Sequence, residues 1–396
     1  MISLGIQEQA MQIRMIGSGN NEFAKLKTPN RAKLFSAVAV AAVLIATLWP
    51  LNPFPKNRVS WLPGTNGLKL ESGVLVTSDG PLKPTKNDDS QSYTLELLLR
   101  PATIKGSGTI LSFYVPGQAR QLEVRQWRDG LLVTHDARVQ SDKARTIKFD
   151  VDHVFHPGKL ILVAISSGRS GTAVYLDGHN AESFPRFEIS RVELFGEIVL
   201  GTSAASYYPW KGEVKGLAIY AKQLTTQDVS QHYRSWTELN GHPPGDLDTA
   251  ITRYSFTESI GNEIQNEVAS EPNLVIPSLF SVPHKPFLES PIREFRMSWK
   301  YVWEAATNIA GFIPLGLIVC SFYAWTKTCW KAIWTATLFC GLLSFAIEVA
   351  QYYIPRRGSG ITDIITNTLG AALGAALLRS EHLRDFMQRL ELIPPN

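Results

Sequence analysis

The chain has 396 residues, enough for more than one domain, and its net charge of +4, from 39 basic and 35 acidic residues, excludes the strongly basic balance of a nucleic-acid binder. Its three cysteines, Cys320, Cys329 and Cys340, all lie in or beside C-terminal apolar segments, so no disulfide framework holds the polar middle of the chain.

Residues 1–33 form a polar tail carrying Arg14, Lys25, Lys27, Arg31 and Lys33. The run 34–51, LFSAVAVAAVLIATLWPL, then reads as a first transmembrane helix, since a bilayer takes roughly 17–25 apolar residues. The long preceding tail and the lack of a small-residue cleavage site favour an uncleaved anchor over a signal peptide.

Residues 58–284 read as all-β. Short alternating or β-branched runs recur between turn signals, at 94–100, 109–115, 121–127, 130–136, 159–166, 172–178, 197–202, 213–220 and 252–258. One segment, 225–236, has a helical pattern with Thr225 or Thr226 as its cap. Three stretches carry a resemblance: SYTLELLLRP with TILSF, KLILVAISSGRSGTAVYLDG, and LGTSAASYYPWKGEVKGLAIYAKQLTTQDVSQHY. Together they resemble a concanavalin-A-like, laminin-G-type jelly roll. The resemblance implies that Trp210-Lys211-Gly212 opens a strand packed on the core. It also implies carbohydrate binding as the commonest use, with protein binding, adhesion or glycoside hydrolysis as alternatives. Hydrolases of this fold carry Glu-x-Asp-x-x-Glu on one strand. No such run occurs, and Glu188, Glu193 and Glu197 are too widely spaced to mimic it. Trp210 and Asp177 are the candidate exterior binding residues. No cofactor is expected. The one candidate is calcium at Asp177 or Asn87-Asp88-Asp89, residues that equally suit ordinary turns. His135, His153, His156 and His179 show no metal spacing.

Residues 285–306 read as a linker and an interfacial helix. Phe295, Trp299 and Trp303 fall at i, i+4 and i+8, with Arg293, Arg296 and Lys300 elsewhere. That pattern suits a helix lying on lipid headgroups, or an aromatic belt at the start of the next span.

Residues 307–378 read as a membrane domain of three further spans, 307–325, 330–354 and 361–378, followed by a tail at 379–396. The expected architecture is therefore an exterior all-β jelly-roll sandwich on an α-helical four-span membrane domain. Lys327 and Lys331 lie between the second and third spans, and Arg379, Arg384 and Arg389 follow the fourth. By the positive-inside rule they place both termini in the cytoplasm of a bacterial inner membrane and the middle domain outside.

Ionisable groups within membrane spans mark function. Asn308, Glu348, Gln351, Arg356, Arg357, Asp363 and Asn367 all fall near the outer ends of the spans. Glu348 and Gln351 share one helix face, and Asp363, Asn367, Gly370 and Gly374 share another. Turned inward, these faces form a polar pocket open to the exterior, and Gly370-x-x-x-Gly374 lets the helices approach closely. Asn308 with GFIPLG, then Glu348-x-x-Gln351, Pro355-Arg356-Arg357, and Asp363 with Asn367-Thr368-Leu369-Gly370 resemble the VanZ-like family. The family usually has Gly at the position of Arg356, and the spacing from Pro355 favours Arg357 as the motif arginine. The resemblance implies a cell-envelope role and makes the sandwich an insertion between the family's first two spans.

The function expected is recognition of an envelope glycan or lipid-linked precursor, coupled to the polar pocket, in envelope polysaccharide handling or glycopeptide resistance. Membrane lipids are the other expected partners, nucleic acid is not, and oligomeric state stays open. An enzyme acting on lipid-linked phosphate or pyrophosphate is the alternative, since arginine pairs with phosphate and paired carboxylates do acid–base work. A purely structural or adhesion role is the third, with Glu348 and Asp363 paired to Arg356 and Arg357.

Overall fold

The computed structural model describes residues 30–83, 92–115, 122–137, 145–238, 249–268, 272–295 and 298–395. Arg14, Lys25, Lys27, Arg296 and the Asn87-Asp88-Asp89 cluster lie outside the described residues. The chain divides into two compact units, Phe54–Lys285, and Met1–Pro53 with Pro286–Asn396.

The first unit is a sandwich of two antiparallel sheets, each of eight strands. One sheet runs β1 (Val59–Trp61), β2 (Leu68–Leu70), β13 (Gly212–Tyr220), β4 (Tyr93–Pro101), β9 (Ile161–Gly168), β10 (Gly171–Leu176) and β11 (His179–Phe184), with β14 (Ala250–Tyr254) also on β13. The other runs β15 (Glu263–Ile264), β16 (Leu274–Val275), β3 (Val76–Ser78), β12 (Glu197–Leu200), β5 (Ser107–Tyr114), β6 (Leu122–Trp127), β7 (Gly130–Ala137) and β8 (Arg145–Val151).

Strands β4 and β9 are nearly continuous apolar runs because both their faces are covered. Leu95, Leu97, Leu99, Val163 and Ile165 pack between the sheets. Leu98, Leu162 and Ala164 point the other way, beneath helix α2 (Thr226–Glu238) with its Val229 and Trp236. Each fully buried large side chain contributes roughly 1.5–3 kcal/mol by leaving water. A Cβ at Gly216 would enter the Trp236 ring, so only glycine lets α2 dock this closely. The start of α2 is closed by a reciprocal cap. The Thr225 amide donates to Asp228 Oδ2 at 2.9 Å, and the Asp228 amide donates to Thr225 Oγ1 at 3.3 Å.

The chain enters and leaves the sandwich side by side. Lys56 bridges Leu279, the Asn57 amide donates to Ser278 O at 3.1 Å, and the Phe280 amide donates to Pro55 O at 2.8 Å. Asn57 Nδ2 adds bonds to Leu75 O and Pro277 O.

The second unit is helical: α1 (Asn30–Leu48), α3 (Pro291–Glu294), α4 (Trp299–Tyr323), α5 (Cys329–Tyr352), α6 (Ile361–Leu377) and α7 (Glu381–Arg389). Helices α1, α4 and α5 are long and apolar enough to cross a membrane. Trp330, Trp334, Leu338 and Leu342 form an exposed row along α5, each more than half exposed. Such a stripe suits hydrocarbon rather than water.

Two expectations take a more detailed form here. The fourth span is short. Helix α6 has 17 residues, about 25 Å of rise, against a hydrocarbon core of roughly 30 Å. It then bends by 83° into α7, so it counts as a span only if the bent pair is taken together. The expected interfacial helix over 292–306 is also not one helix. Phe295 ends the short α3 with an extended backbone, while Trp299 and Trp303 begin α4, capped by Ser298 Oγ accepting from the Tyr301 amide. Trp299 and Trp303 thus stand at the start of a long helix, and Phe295 precedes it.

Candidate functional site

Helices α4 and α6 cross almost in backbone contact. A Cβ at Gly370 would meet the backbone of Ile309, one at Gly374 that of Ile313, and one at Gly316 that of Ala371. Small residues on both helices therefore set this spacing, and it brings the polar side chains within reach of one another.

Each sequence-predicted residue of the polar pocket finds a place in this bundle. Asn308 Nδ2 of α4 donates to Asp363 Oδ1 of α6 at 2.7 Å. Asn367, one turn further along α6, donates through Nδ2 to Ser344 Oγ of α5 at 2.9 Å. Glu348 is 1% exposed. Its carboxylate accepts from the Gly360 amide at 2.9 Å, at the N-terminus of α6, where a negative charge is favoured. Ser359 Oγ donates to Glu348 O at 3.0 Å. Gln351 Nε2 reaches Thr47 O of α1 at 3.0 Å. Arg357 donates to Trp49 O at 2.5 Å, just past the end of α1, while Arg356 is exposed on the same loop.

The arrangement is a row of polar ties between helices. Asp363 is engaged by Asn308 and Arg357 by a carbonyl, where the structural reading had Glu348 and Asp363 paired to Arg356 and Arg357. One buried acceptor stays open: no donor among the described residues reaches Asn367 Oδ1. The loop after α5 is also tied to residues 288–289. The Glu289 amide donates to Ser359 O at 2.9 Å, and the Ile361 amide donates to Glu289 O at 3.0 Å.

Sequence reasoning missed Ser344 and Ser359. Ser344 was readable, since it lies four residues before Glu348 on the same buried face of α5. Ser359 carried no signal, because its partners, Glu348 O and the Leu288 amide, are backbone groups brought to it by tertiary packing.

The opposite ends of these helices meet as well. Arg31 pairs with Glu391 at 2.9 Å, and Trp325 Nε1 donates to Leu392 O at 2.8 Å. The start of α1, the turn between α4 and α5, and the C-terminal tail therefore share one end of the bundle.

In the sandwich, the two candidate binding residues fall differently from expectation. Trp210 is 2% exposed, and its Nε1 donates to Gln126 Oε1 at 2.6 Å. It is a core residue and offers no platform for a ligand. Asp177 sits in the β10–β11 turn with φ of 51° and accepts from the Leu162 amide at 2.9 Å, a structural bond. Among the described residues no group of three or more His, Cys, Asp or Glu side chains is placed to hold a metal ion.

Two carboxylates buried on the strands, Glu96 and Glu123, are engaged by side chains. Glu96 is fully buried and accepts from Trp236 Nε1 at 2.9 Å, and it lies 2.8 Å from His232 Nδ1. Ser203 donates to Glu123. Glu193 lies 3.0 Å from His135 Nδ1. Burial, helped by the Glu193 charge, pushes the Tyr93 hydroxyl well above the usual tyrosine range, so it stays neutral in the core.

These features define a membrane protein that carries an all-β sandwich. Residues 249–383 match the VanZ/LLP1 family model, and residues 76–230 match that of the concanavalin A-like lectin/glucanases superfamily. The chain thus joins a VanZ/LLP1 region to a laminin-G-type sandwich. The VanZ/LLP1 match begins just before β14 and does not reach α1. No curated protein matches the chain significantly in sequence.

Among solved structures the chain is similar to a Bacteroides ovatus protein described as a candidate carbohydrate-binding protein, at 13% identity and a TM-score of 0.38, covering 55% of this chain and 62% of that one. It is also similar to a heptameric SAP-like pentraxin from Limulus polyphemus, at 14% identity and a TM-score of 0.34, covering 58% and 94%. A third is the ligand-binding domain of botulinum neurotoxin serotype D in complex with N-acetylneuraminic acid, at 15% identity and a TM-score of 0.33, covering 46% and 45%. The chain spans less than two thirds of the Bacteroides and neurotoxin chains.

Proposed function

We propose that this is a cell-envelope membrane protein whose sandwich holds a glycan outside the bilayer, while its VanZ/LLP1 region anchors it and recognises a lipid-linked headgroup. The observation that carries the reading is the joining, in one chain, of a lectin-type sandwich and a VanZ/LLP1 region. Binding is favoured over hydrolysis because Glu96 and Glu123 are held by neighbouring side chains, and Glu193 lies beside His135. None of the three lines the sandwich cavity beside Arg100 or the one beside Asp150, so none is placed there to flank a glycosidic bond.

The bilayer side of the proposal rests on the polar row. Arg356 and Arg357 stand at the loop end of α5, where guanidinium groups suit phosphate. Asn367, with its open acceptor, lies on α6, the helix that follows this loop. Both termini are assigned to the cytoplasm. The Arg31–Glu391 and Trp325–Leu392 contacts gather the basic ends of the helices together, and basic residues favour the inner face.

The test is binding of the full-length protein, in nanodiscs, to a panel of neutral and acidic envelope glycans, with and without calcium. Selective retention of at least one glycan is expected. A folded protein that retains none would overturn the reading.

A further inference from the structure

Resting on the glycan-binding reading above, we propose that the sandwich takes its ligand in a basic cleft lined by Arg58, Lys69, Arg100 and Lys211, and that the ligand is an anionic sugar chain. The cleft has a volume of about 470 Å³, inside the roughly 300–1,000 Å³ range of small-molecule sites.

Strand register builds it. Lys69 of β2 is the partner of Glu213 on β13, and Glu213 is the partner of Arg100 on β4, so the three side chains stand abreast on one face of the sheet. The next rung, Leu70, Gly212 and Pro101, lies alongside and turns to the opposite, core face, where a Cβ at Gly212 would meet the Trp210 ring.

The charges do not balance. Glu213 is held by Arg100 at 2.8 Å, and Glu71 by Lys69 at 3.1 Å. Arg58 and Lys211 are exposed and have no carboxylate partner among the described residues. Four cations thus face two carboxylates. Arg100 keeps a further donor in reserve: its Nε is shielded from water and donates to nothing among the described residues. The field is felt nearby. Burial first, and then the Arg100 charge, hold the Lys215 ammonium below the ordinary lysine range.

Two comparisons narrow the ligand. A second cavity of the sandwich, of about 660 Å³, has the opposite sign, with Asp150, Asp152 and Glu182 against Lys148. An anion therefore selects the first. No aromatic ring lines the basic cleft, so a neutral sugar finds no stacking surface there. A uronate, phosphate or sulfate on the sugar supplies what the cleft lacks, through charge-assisted hydrogen bonds to the guanidinium groups.

The experiment uses full-length protein in phosphatidylcholine nanodiscs. Fluorescent hexagalacturonate and a glycerol-phosphate oligomer are the acidic probes, and cellohexaose is the neutral one. At low salt, binding of at least one acidic probe is expected at ten-fold or greater preference over cellohexaose, falling at least five-fold at high salt. Arg58→Gln with Lys211→Gln is expected to weaken that binding ten-fold or more without shifting the melting temperature, because neither side chain holds the fold. A charge-reversed pair, Arg58→Glu with Lys211→Glu, is expected to abolish it. Acidic binding that the double variant leaves unchanged overturns the inference, as does equal or tighter binding of cellohexaose, while the glycan-binding reading stands. Failure of the folded protein to bind any of these probes or any glycan of the wider panel overturns both.

Discussion

The carboxylate of Glu348, on α5, accepts a hydrogen bond from the amide of Gly360 at the first turn of α6, 2.9 Å away. One side chain thus closes the end of the next helix across a loop of several residues. Glu348 is almost wholly buried, so the alternative to this bond is an amide with no partner in a dry place. Glu348→Ala is expected to destabilise the helical unit by about 1–3 kcal/mol, read as a lower melting temperature in detergent. Glu348→Gln keeps an acceptor and loses only the charge at the helix end, at about 0.3–1 kcal/mol. Equal losses for both variants would remove the capping role. If Glu348→Gln leaves folded protein intact but abolishes a cellular phenotype, the group acts on a ligand as well.

Gly374 and Gly311 form a matched pair. A Cβ at Gly374 would strike the backbone of Ile313, which cannot move aside as a flexible side chain would. Gly311, on α4, has open space at the same position. Gly374→Ala is expected to cost roughly 1–3 kcal/mol through overpacking. Gly311→Ala is expected to be neutral or to stabilise by up to about 1 kcal/mol, because alanine favours the helix. Melting of both variants checks the contrast. Similar shifts would mean that α4 and α6 do not meet in this register.

In the sandwich, Glu96 anchors α2 to the sheet by taking bonds from two of its side chains. Glu96→Leu strands the Trp236 indole without its acceptor and takes the carboxylate from beside His232. The expected loss is about 1–3 kcal/mol, from the unsatisfied buried indole. Trp236 is buried, so its release is visible as a red shift in tryptophan emission. An unchanged spectrum and melting point would show that α2 is held by apolar packing alone.

The cap of α2 carries a pH dependence. The Asp228 carboxyl lies below its ordinary range, chiefly because the Thr225 amide donates to it, with the Thr225 hydroxyl and Lys222 adding to the effect and partial burial opposing it. A depressed carboxyl contributes stability that is fully present above the unfolded value of about 3.9 and is lost as pH falls through the lower folded value. Asp228→Ala is therefore expected to cost about 0.5–2 kcal/mol at pH 7. The difference from the parent should shrink below about pH 4. A constant difference across that window would assign the loss to packing.

Much of this architecture is written locally. Strands β4, β5, β6, β7, β9, β10, β12 and β13 follow apolar runs bounded by turn residues, and α2 begins at the threonine cap that its sequence announces. Strand β11 escapes such reading because HNAESF is almost wholly exposed at the sheet edge, so no burial pattern marks it. Strands β1, β2 and β3 have three residues each, too few to show a period. Among the site residues, the shared face of Glu348 and Gln351 follows from helical spacing, and both are buried. Their partners do not follow from it, because Thr47 and Gly360 offer backbone groups whose positions depend on tertiary packing. The basic cleft was hidden for a similar reason. Arg58, Lys69, Arg100 and Lys211 are scattered along the chain and meet only through strand register.

The bonds between residues 55–57 and 278–280 join the two ends of the sandwich antiparallel, so both connections leave from the same end of the pair. On the exit side the chain is held again beyond this pair: the His284 amide donates to Ala204 O at 2.8 Å, its Nε2 lies 2.6 Å from Glu197 Oε2, and Phe280 and Val282 are buried, so tension on that connection loads His284 before Phe280. Asn57, with its side-chain ties to Leu75 and Pro277, is the stop at which peeling from the entry side meets resistance. The two ends of the sandwich are therefore unequal under tension: the entry strand can peel at Pro55, while the exit strand is anchored through His284 and the buried Phe280 and Val282.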